Sequence, residues 1–326
     1  MNPADTALPS PAPSSGPGGP PHPGRAHAKA ILLGEHSVVY GAPAIALPIR
    51  SLEVTASLEA SEVSAIRSAL YTGPAAEAPA GLAPVLTAWR AALERCGAPD
   101  RPATLTLQSS IPWGRGLGSS AAVAAAVVAA VAADAGAALP DDVRHELIQR
   151  AETVAHGSPS GIDARAVVAS TPFRFQRGTA DAIDVGAPLT FVIADTGSAG
   201  STAEAVASVR ALRDSHPRTV DTAVERMAEL ADEAAIAIAE ADPDALGARM
   251  GAAHELLALL GVSSESLDAL VGAAHAAGSP GAKLTGGGRG GCVIALSLSP
   301  ETDDLERALR SAGAHRTWTT TLAATA

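Results

Sequence analysis

With 326 residues, 47% of them apolar, the chain can bury a large core and exceeds the usual size of one domain, so two lobes around a shared cleft are expected. Its formal net charge of −11 excludes the basic surface that nucleic acid or an anionic membrane demands, so any phosphate must be held by local geometry. Cys96 and Cys292 match neither a disulfide framework nor a zinc pattern and read as small buried apolar residues in a reducing cytoplasm.

Residues 1–24, MNPADTALPSPAPSSGPGGPPHPG, lack the basic start and apolar core of a signal peptide and read as a disordered tail. Order is expected from Arg25. HAKAILLGEHSVVYG reads as a strand, a glycine turn and a short helical segment, and AIALPI and LEVTASLEA as two further strands, the second cleanly alternating. Residues 81–96 read as a helix, ATLTLQSS as a strand, and 119–135 as an alanine-rich helix too short and too weakly apolar to span a membrane. LPDDVRHELIQRAETVAH opens with Pro140 and two acidic residues, a helix start, and should run to His156. HGSPSGIDARAVVAS then breaks that helix. LTFVIAD, 189–195, reads as a buried strand. Residues 201–277 read as helices punctuated by Pro217, Pro243 and Gly261, KLTGGGRGGCVIALSLS as a glycine-rich turn entering a strand, and HRTWTTTLAA as a last strand. This order implies two α+β lobes, 25–185 and 186–326.

GRGLGSSAA, residues 114–122, stands between the strand ATLTLQSS and the alanine-rich helix. A helix start offers unpartnered N–H groups and a partial positive charge, and glycine lets an anion approach the backbone, so phosphate is the expected guest. A Walker A loop is excluded because no lysine follows the glycines. A dinucleotide fingerprint would use Gly114, Gly116 and Ser119 with Asp134, but Asp134 ends a helix where that motif needs the end of a second strand. A glycine turn serving only tight packing is the plain alternative.

Two other stretches keep it company. Pro112 to Ala121 resembles the phosphate loop of the GHMP kinases, which include galactokinase, homoserine kinase and mevalonate kinase. Lys29 to Gly41 resembles that family's first motif and Lys283 to Leu296 its third. The resemblance implies a two-lobed α+β fold, with an N-terminal lobe like ribosomal protein S5 and a C-terminal ferredoxin-like lobe. Within the family, GEHSVVYG and HGSPSGIDA are most similar to the mevalonate-phosphorylating branch, and IADTGSAGSTAEAV resembles the stretch after the interdomain strand. The activity implied is ATP-dependent phosphorylation of the C5 hydroxyl of (R)-mevalonate. A sister kinase for phosphomevalonate or a sugar, and a non-catalytic nucleotide-binding regulator, stay open at this point.

The same resemblance implies the roles of individual residues. Asp163 is the expected base and Lys29 the cation beside it. Glu152, eleven residues ahead of Asp163, is expected to hold Mg²⁺ together with the Ser120 hydroxyl. Pro112, Trp113, Gly114, Arg115, Gly116, Leu117, Gly118, Ser119, Ser120, Ala121 and Ala122 are expected along the nucleotide, with Trp113 and Arg115 given no chemistry beyond lying next to ATP. Glu35, His36 and Thr202 are expected at the acceptor end, although Thr202 reads almost as well as a helix N-cap. Gly286 to Gly291 should pack under the phosphate loop, with Arg289 within reach of a phosphate. Ser198-Ala199-Gly200 replaces basic residues that some relatives carry before the threonine. ATP and mevalonate are the implied partners, with neither nucleic acid nor membrane and with a homodimer left open.

Overall fold

The computed structural model describes residues 23–325. The expected N-terminal tail therefore lies outside the described residues, except for Pro23 and Gly24. The chain starts with β1 (Gly24–Leu33) and passes through a one-turn 3₁₀ segment, Ser37–Tyr40, into β2 (Ala44–Ala60). The two stretches expected as separate strands are one. The register of β1 against β2 jumps from Ala28↔Ile49 to His27↔Glu53, so the Arg50–Leu52 segment is a bulge that bends the strand without ending it. β3 (Ala65–Arg67), β4 (Thr72–Pro74), α1 (Ala83–Arg95) and β5 (Ala103–Ser109) follow. Then come α2 (Ser119–Asp134), α3 (Asp141–His156), the short α4 (Ile162–Ala166), β6 (Phe173–Gln176) and β7 (Thr179–Ala182). The four short strands were not anticipated, because three or four residues carry no readable periodicity.

Among the described residues, β1 to β7 form one sheet, with β2 at its centre pairing antiparallel to β1, β5 and β6. The alanine-rich α2 is buried on nearly every side, packed on β1 and β2 and between α1 and α3. Small side chains all round let the helix sit close to its neighbours, which an amphipathic helix could not do.

The rest of the chain makes a second sheet. β8 (Leu189–Asp195) is buried along its whole length and is followed by α5 (Thr202–Ser215), α6 (Pro217–Ala239), α7 (Pro243–Leu259) and α8 (Glu265–Ala276). β9 (Ala282–Thr285), β10 (Cys292–Ser297), α9 (Asp303–Ser311) and β11 (Arg316–Leu322) complete it, in the antiparallel order β11-β8-β10-β9. Sequence reasoning took the stretch before β10 as turn alone, yet Ala282–Thr285 is a fully buried strand. The Thr285 hydroxyl links the sheets, accepting from the Ile31 N–H at 3.0 Å and donating to the Ile31 carbonyl at 2.9 Å. Cys292 is buried, and that burial pushes its thiol pKa up and leaves it inert. No helix among the described residues is long and apolar enough to cross a membrane.

Candidate active site

Residues 110–118 join β5 to α2. Gly114, Gly116 and Gly118 all take positive φ, at 69°, 76° and 73°, a region costly for any residue with a side chain. Two of them also have no room for one. A Cβ on Gly118 would sit 2.8 Å from Lys29 Cγ, and one on Gly116 would sit 3.0 Å from Gly286 Cα. The third glycine-rich motif thus packs against the loop backbone to backbone. The first turn of α2 has no side-chain cap, so its amide N–H groups at Ser119, Ser120 and Ala121 are left for an anion. Ala122 is already committed, donating to the Gly118 carbonyl at 2.9 Å. Leu117, Ala121 and Ala122 point into the core, while Trp113 is largely exposed at the loop's outer edge beside Pro112.

Lys29, expected near a base from another part of the chain, lies directly under this turn. Its backbone N–H donates to the Leu117 carbonyl at 3.1 Å, and its Nζ meets Asp163 Oδ1 at 2.9 Å. Lys29 is buried on β1, whereas the Asp163 side chain, at the start of α4, keeps 33% of its surface exposed. Gly161, with φ 90° just before α4, turns the chain so that the carboxylate faces the loop. Glu152 comes from the last turn of α3 and is buried. Burial pushes its carboxyl above the usual range; the Ser120 hydroxyl beside it partly offsets this, while the nearby Asp163 charge adds to it. Among the described residues Glu152 Oε1 has no hydrogen-bond partner, and Oε2 lies 3.8 Å from His156 Nε2. An orphaned buried oxygen next to a hydroxyl and a second carboxylate is a hard-oxygen donor set suited to Mg²⁺. Among the described residues no three His, Cys, Asp or Glu side chains cluster to hold a metal by themselves.

The acceptor end differs from expectation. Glu35 is sealed from solvent and forms an ion pair with Lys283 Nζ on β9, which also donates to the Leu284 carbonyl at 2.6 Å. Burial pushes the Glu35 pKa up and the Lys283 pKa down, and their mutual attraction opposes both shifts. Glu35 is therefore no free carboxylate lining the cleft. Its neighbour His36 sits at φ 61° and is buried, with Nε2–H donating to the Gly287 carbonyl at 2.9 Å. Only a protonated Nε2 can serve a carbonyl, and burial lowers the ring's pKa, so Nδ1 is an unpartnered acceptor. Thr202 is exposed as the first residue of α5, and the cap is Ser201, whose Oγ accepts from the Glu204 N–H at 3.3 Å. The N-cap reading thus belongs to Ser201, which leaves the Thr202 hydroxyl uncommitted over Gly287; a Cβ on that glycine would lie 2.6 Å from Thr202 Oγ1. Arg289 is turned away from the loop, donating to Ser208 Oγ at 2.9 Å and to the Gly261 carbonyl at 3.3 Å.

Comparison with known proteins bears on this arrangement. Residues 84–171 match the GHMP kinases N terminal domain model and residues 234–315 the GHMP kinases C terminal model. A mevalonate kinase of Thermococcus sibiricus is 36% identical, covering 88% of this chain and 92% of the relative. The chain belongs to the GHMP kinase family. One mevalonate kinase of Aeropyrum pernix is 37% identical over 87% of the chain and 90% of the relative. The crystal structure of Methanococcus jannaschii mevalonate kinase superposes with a TM-score of 0.80 at 25% identity, covering 95% of this chain and all of that one.

In this GHMP kinase the three motifs meet as one body: the first supplies Lys29, Glu35 and His36, the second the phosphate loop, and the third Lys283, Thr285 and the glycines that press on both. Sequence reasoning missed Lys283 and the partner of Arg115. The signal for Lys283 was present, since a lysine flanked by Ala282, Leu284 and an apolar strand is a buried lysine in need of an acid.

Proposed function

We propose that this GHMP kinase transfers the γ-phosphoryl group of ATP to the C5 hydroxyl of (R)-mevalonate, giving ADP and 5-phosphomevalonate. The observation that carries the reading is the Lys29–Asp163 pair, 2.9 Å apart, placed directly against an uncapped, glycine-lined helix start. The curated relatives that match most of the chain are named mevalonate kinases.

On this reading the amides of the phosphate loop and the first turn of α2 hold the triphosphate. Asp163 receives the C5 hydroxyl proton, the freed oxygen attacks the γ-phosphorus, and the bond to the β–γ bridging oxygen breaks to release ADP. Lys29 pairs with Asp163 and offsets negative charge building on the phosphoryl oxygens. Glu152 and Ser120 would hold Mg²⁺, which would supply charge neutralisation for the nucleotide's phosphates. His36 Nδ1 and the Thr202 hydroxyl are the unpartnered groups available to the acceptor's hydroxyls or carboxylate. The enzyme is read as cytoplasmic.

Turnover with MgATP across mevalonate, phosphomevalonate, homoserine and galactose tests the assignment. Mevalonate should be preferred by kcat/KM by at least a hundredfold. Preference for phosphomevalonate or a sugar would replace the proposed acceptor, and absence of turnover with every acceptor would replace the enzyme by a nucleotide-binding regulator.

A further inference from the structure

Arg115 sits in the middle of the phosphate loop, yet its charge is already matched within the protein. Its Nε meets Asp195 Oδ1 at 2.9 Å and Oδ2 at 3.1 Å, and its Nη2 donates to the Gly197 carbonyl at 2.7 Å. Asp195 is buried at the end of β8, the strand that pairs with both β10 and β11, and it also accepts from the Gly197 N–H at 2.8 Å. The side chain therefore bridges from the first sheet's glycine turn to a rigid point of the second sheet. From that point the chain runs through residues 196–201 to Thr202. Backbone contacts follow the same path: Gly200 N–H donates to the Gly114 carbonyl at 3.3 Å, and Gly291 N–H donates to the Ser198 carbonyl at 2.8 Å.

We infer that Arg115 is a positioning residue of the kinase: its clasp on Asp195 and Gly197 sets the register of the phosphate loop against the segment leading to Thr202. The physical need is plain. Residues 114–118 carry glycine at alternate positions and have little stiffness of their own, while in-line phosphoryl transfer tolerates only a small displacement between phosphorus and the attacking oxygen. The bond from Lys29 N–H to the Leu117 carbonyl holds the loop's far end. Without the clasp, the near end keeps the long Gly200–Gly114 hydrogen bond and the backbone packing of Gly116 on Gly286, neither of which carries a side-chain tie to the second sheet. An arginine fork suits this work, because one rigid group serves a carboxylate and a carbonyl together.

The inference rests on the proposed ATP-dependent reaction, and binding is measured apart from turnover to keep the two distinguishable. Arg115→Ala, Arg115→Lys, Asp195→Asn and Arg115→Ala/Asp195→Asn are compared with wild type. The readouts are steady-state kinetics with mevalonate, calorimetric affinity for a non-hydrolysable MgATP analogue, and thermal midpoint. Arg115→Ala is expected to raise KM for ATP and lower kcat, each about tenfold. Asp195→Asn, which lies outside the phosphate loop, should reproduce the same defect, and the double variant should be no worse than either single one. Arg115→Lys should fall between, and with Asp195→Asn it carries the test if Arg115→Ala fails to fold. KM and kcat within twofold of wild type in the folded variants, with only the thermal midpoint lowered, would show a structural ion pair and overturn the inference. Additive defects would overturn it as well. A wild-type protein that binds no MgATP analogue refutes the kinase reading itself.

Discussion

Two lysine–carboxylate pairs stand close together in this molecule, and they are built for different tasks. Lys29–Asp163 has one member buried and the other a third exposed, while Lys283–Glu35 is sealed, with side chains 0% and 1% exposed. Each lysine comes from a strand, β1 or β9, and each acid from a segment far from its lysine in the chain. A carboxylate that is to accept a proton from a substrate must be reachable from outside, and Asp163, the base of the proposed reaction, is part-exposed. Glu35 is not, so its pair acts through position, tying the Glu35–His36 turn to β9. Burial opposes both charges of the sealed pair, and such a pair adds little net stability over an apolar substitute. What it supplies is a fixed place for His36 and its free Nδ1.

The contrast can be broken or sharpened by substitution. The largest effect is expected for Asp163→Asn, which should lower kcat by about 10³-fold or more while MgATP affinity, measured calorimetrically, changes less than threefold. Near-normal turnover would remove Asp163 from the reaction. Lys29→Met should cost about 10²-fold in kcat, and an unchanged rate would make the open pair as passive as the sealed one. Lys283→Met, by contrast, strands a buried carboxylate and should destabilise the fold by about 3–5 kcal/mol in chemical denaturation. Adding Glu35→Gln should return more than half of that loss; no recovery would mean that the lysine acts through packing alone.

Glu152 sharpens the comparison as a buried acid with no lysine partner of its own. Its folded-state pKa is raised, so the protonated form adds stability below the ordinary carboxylate value near 4.5, and that stability is lost as pH rises through the higher folded value. Without nucleotide, Glu152→Gln should therefore stabilise the protein more at pH 8 than at pH 4, read from melting at both values; an equal effect at the two pH values would remove the burial penalty. The same variant should lose most Mg²⁺-dependent turnover. The smallest effect is expected for the exposed Arg25–Glu53 pair, 3.2 Å apart, where Arg25→Ala should change stability by less than about 0.5 kcal/mol.

The sequence by itself determined the features whose causes are local. Glycine spacing ahead of a strong helix former marked the turn into α2, Pro140 with its two acids marked the start of α3, and the unbroken apolar run marked β8. The motifs around Lys29, Glu152 and Asp163 named residues that the structure brings to one place, though their nearness was implied by resemblance and not by spacing. Only the tertiary structure decided the partners. Glu35 and Lys283 are 248 positions apart, and Arg115 and Asp195 are 80 apart. Nothing in either neighbourhood states which distant charge will share its burial. The same holds for β2, whose continuity across Arg50–Leu52 depends on its pairing with β1, and for Thr202, freed because Ser201 takes the cap. Propensity and capping act over one turn of chain, whereas the choice of a buried partner is made by packing, where a charge is tolerated only if the fold delivers its opposite.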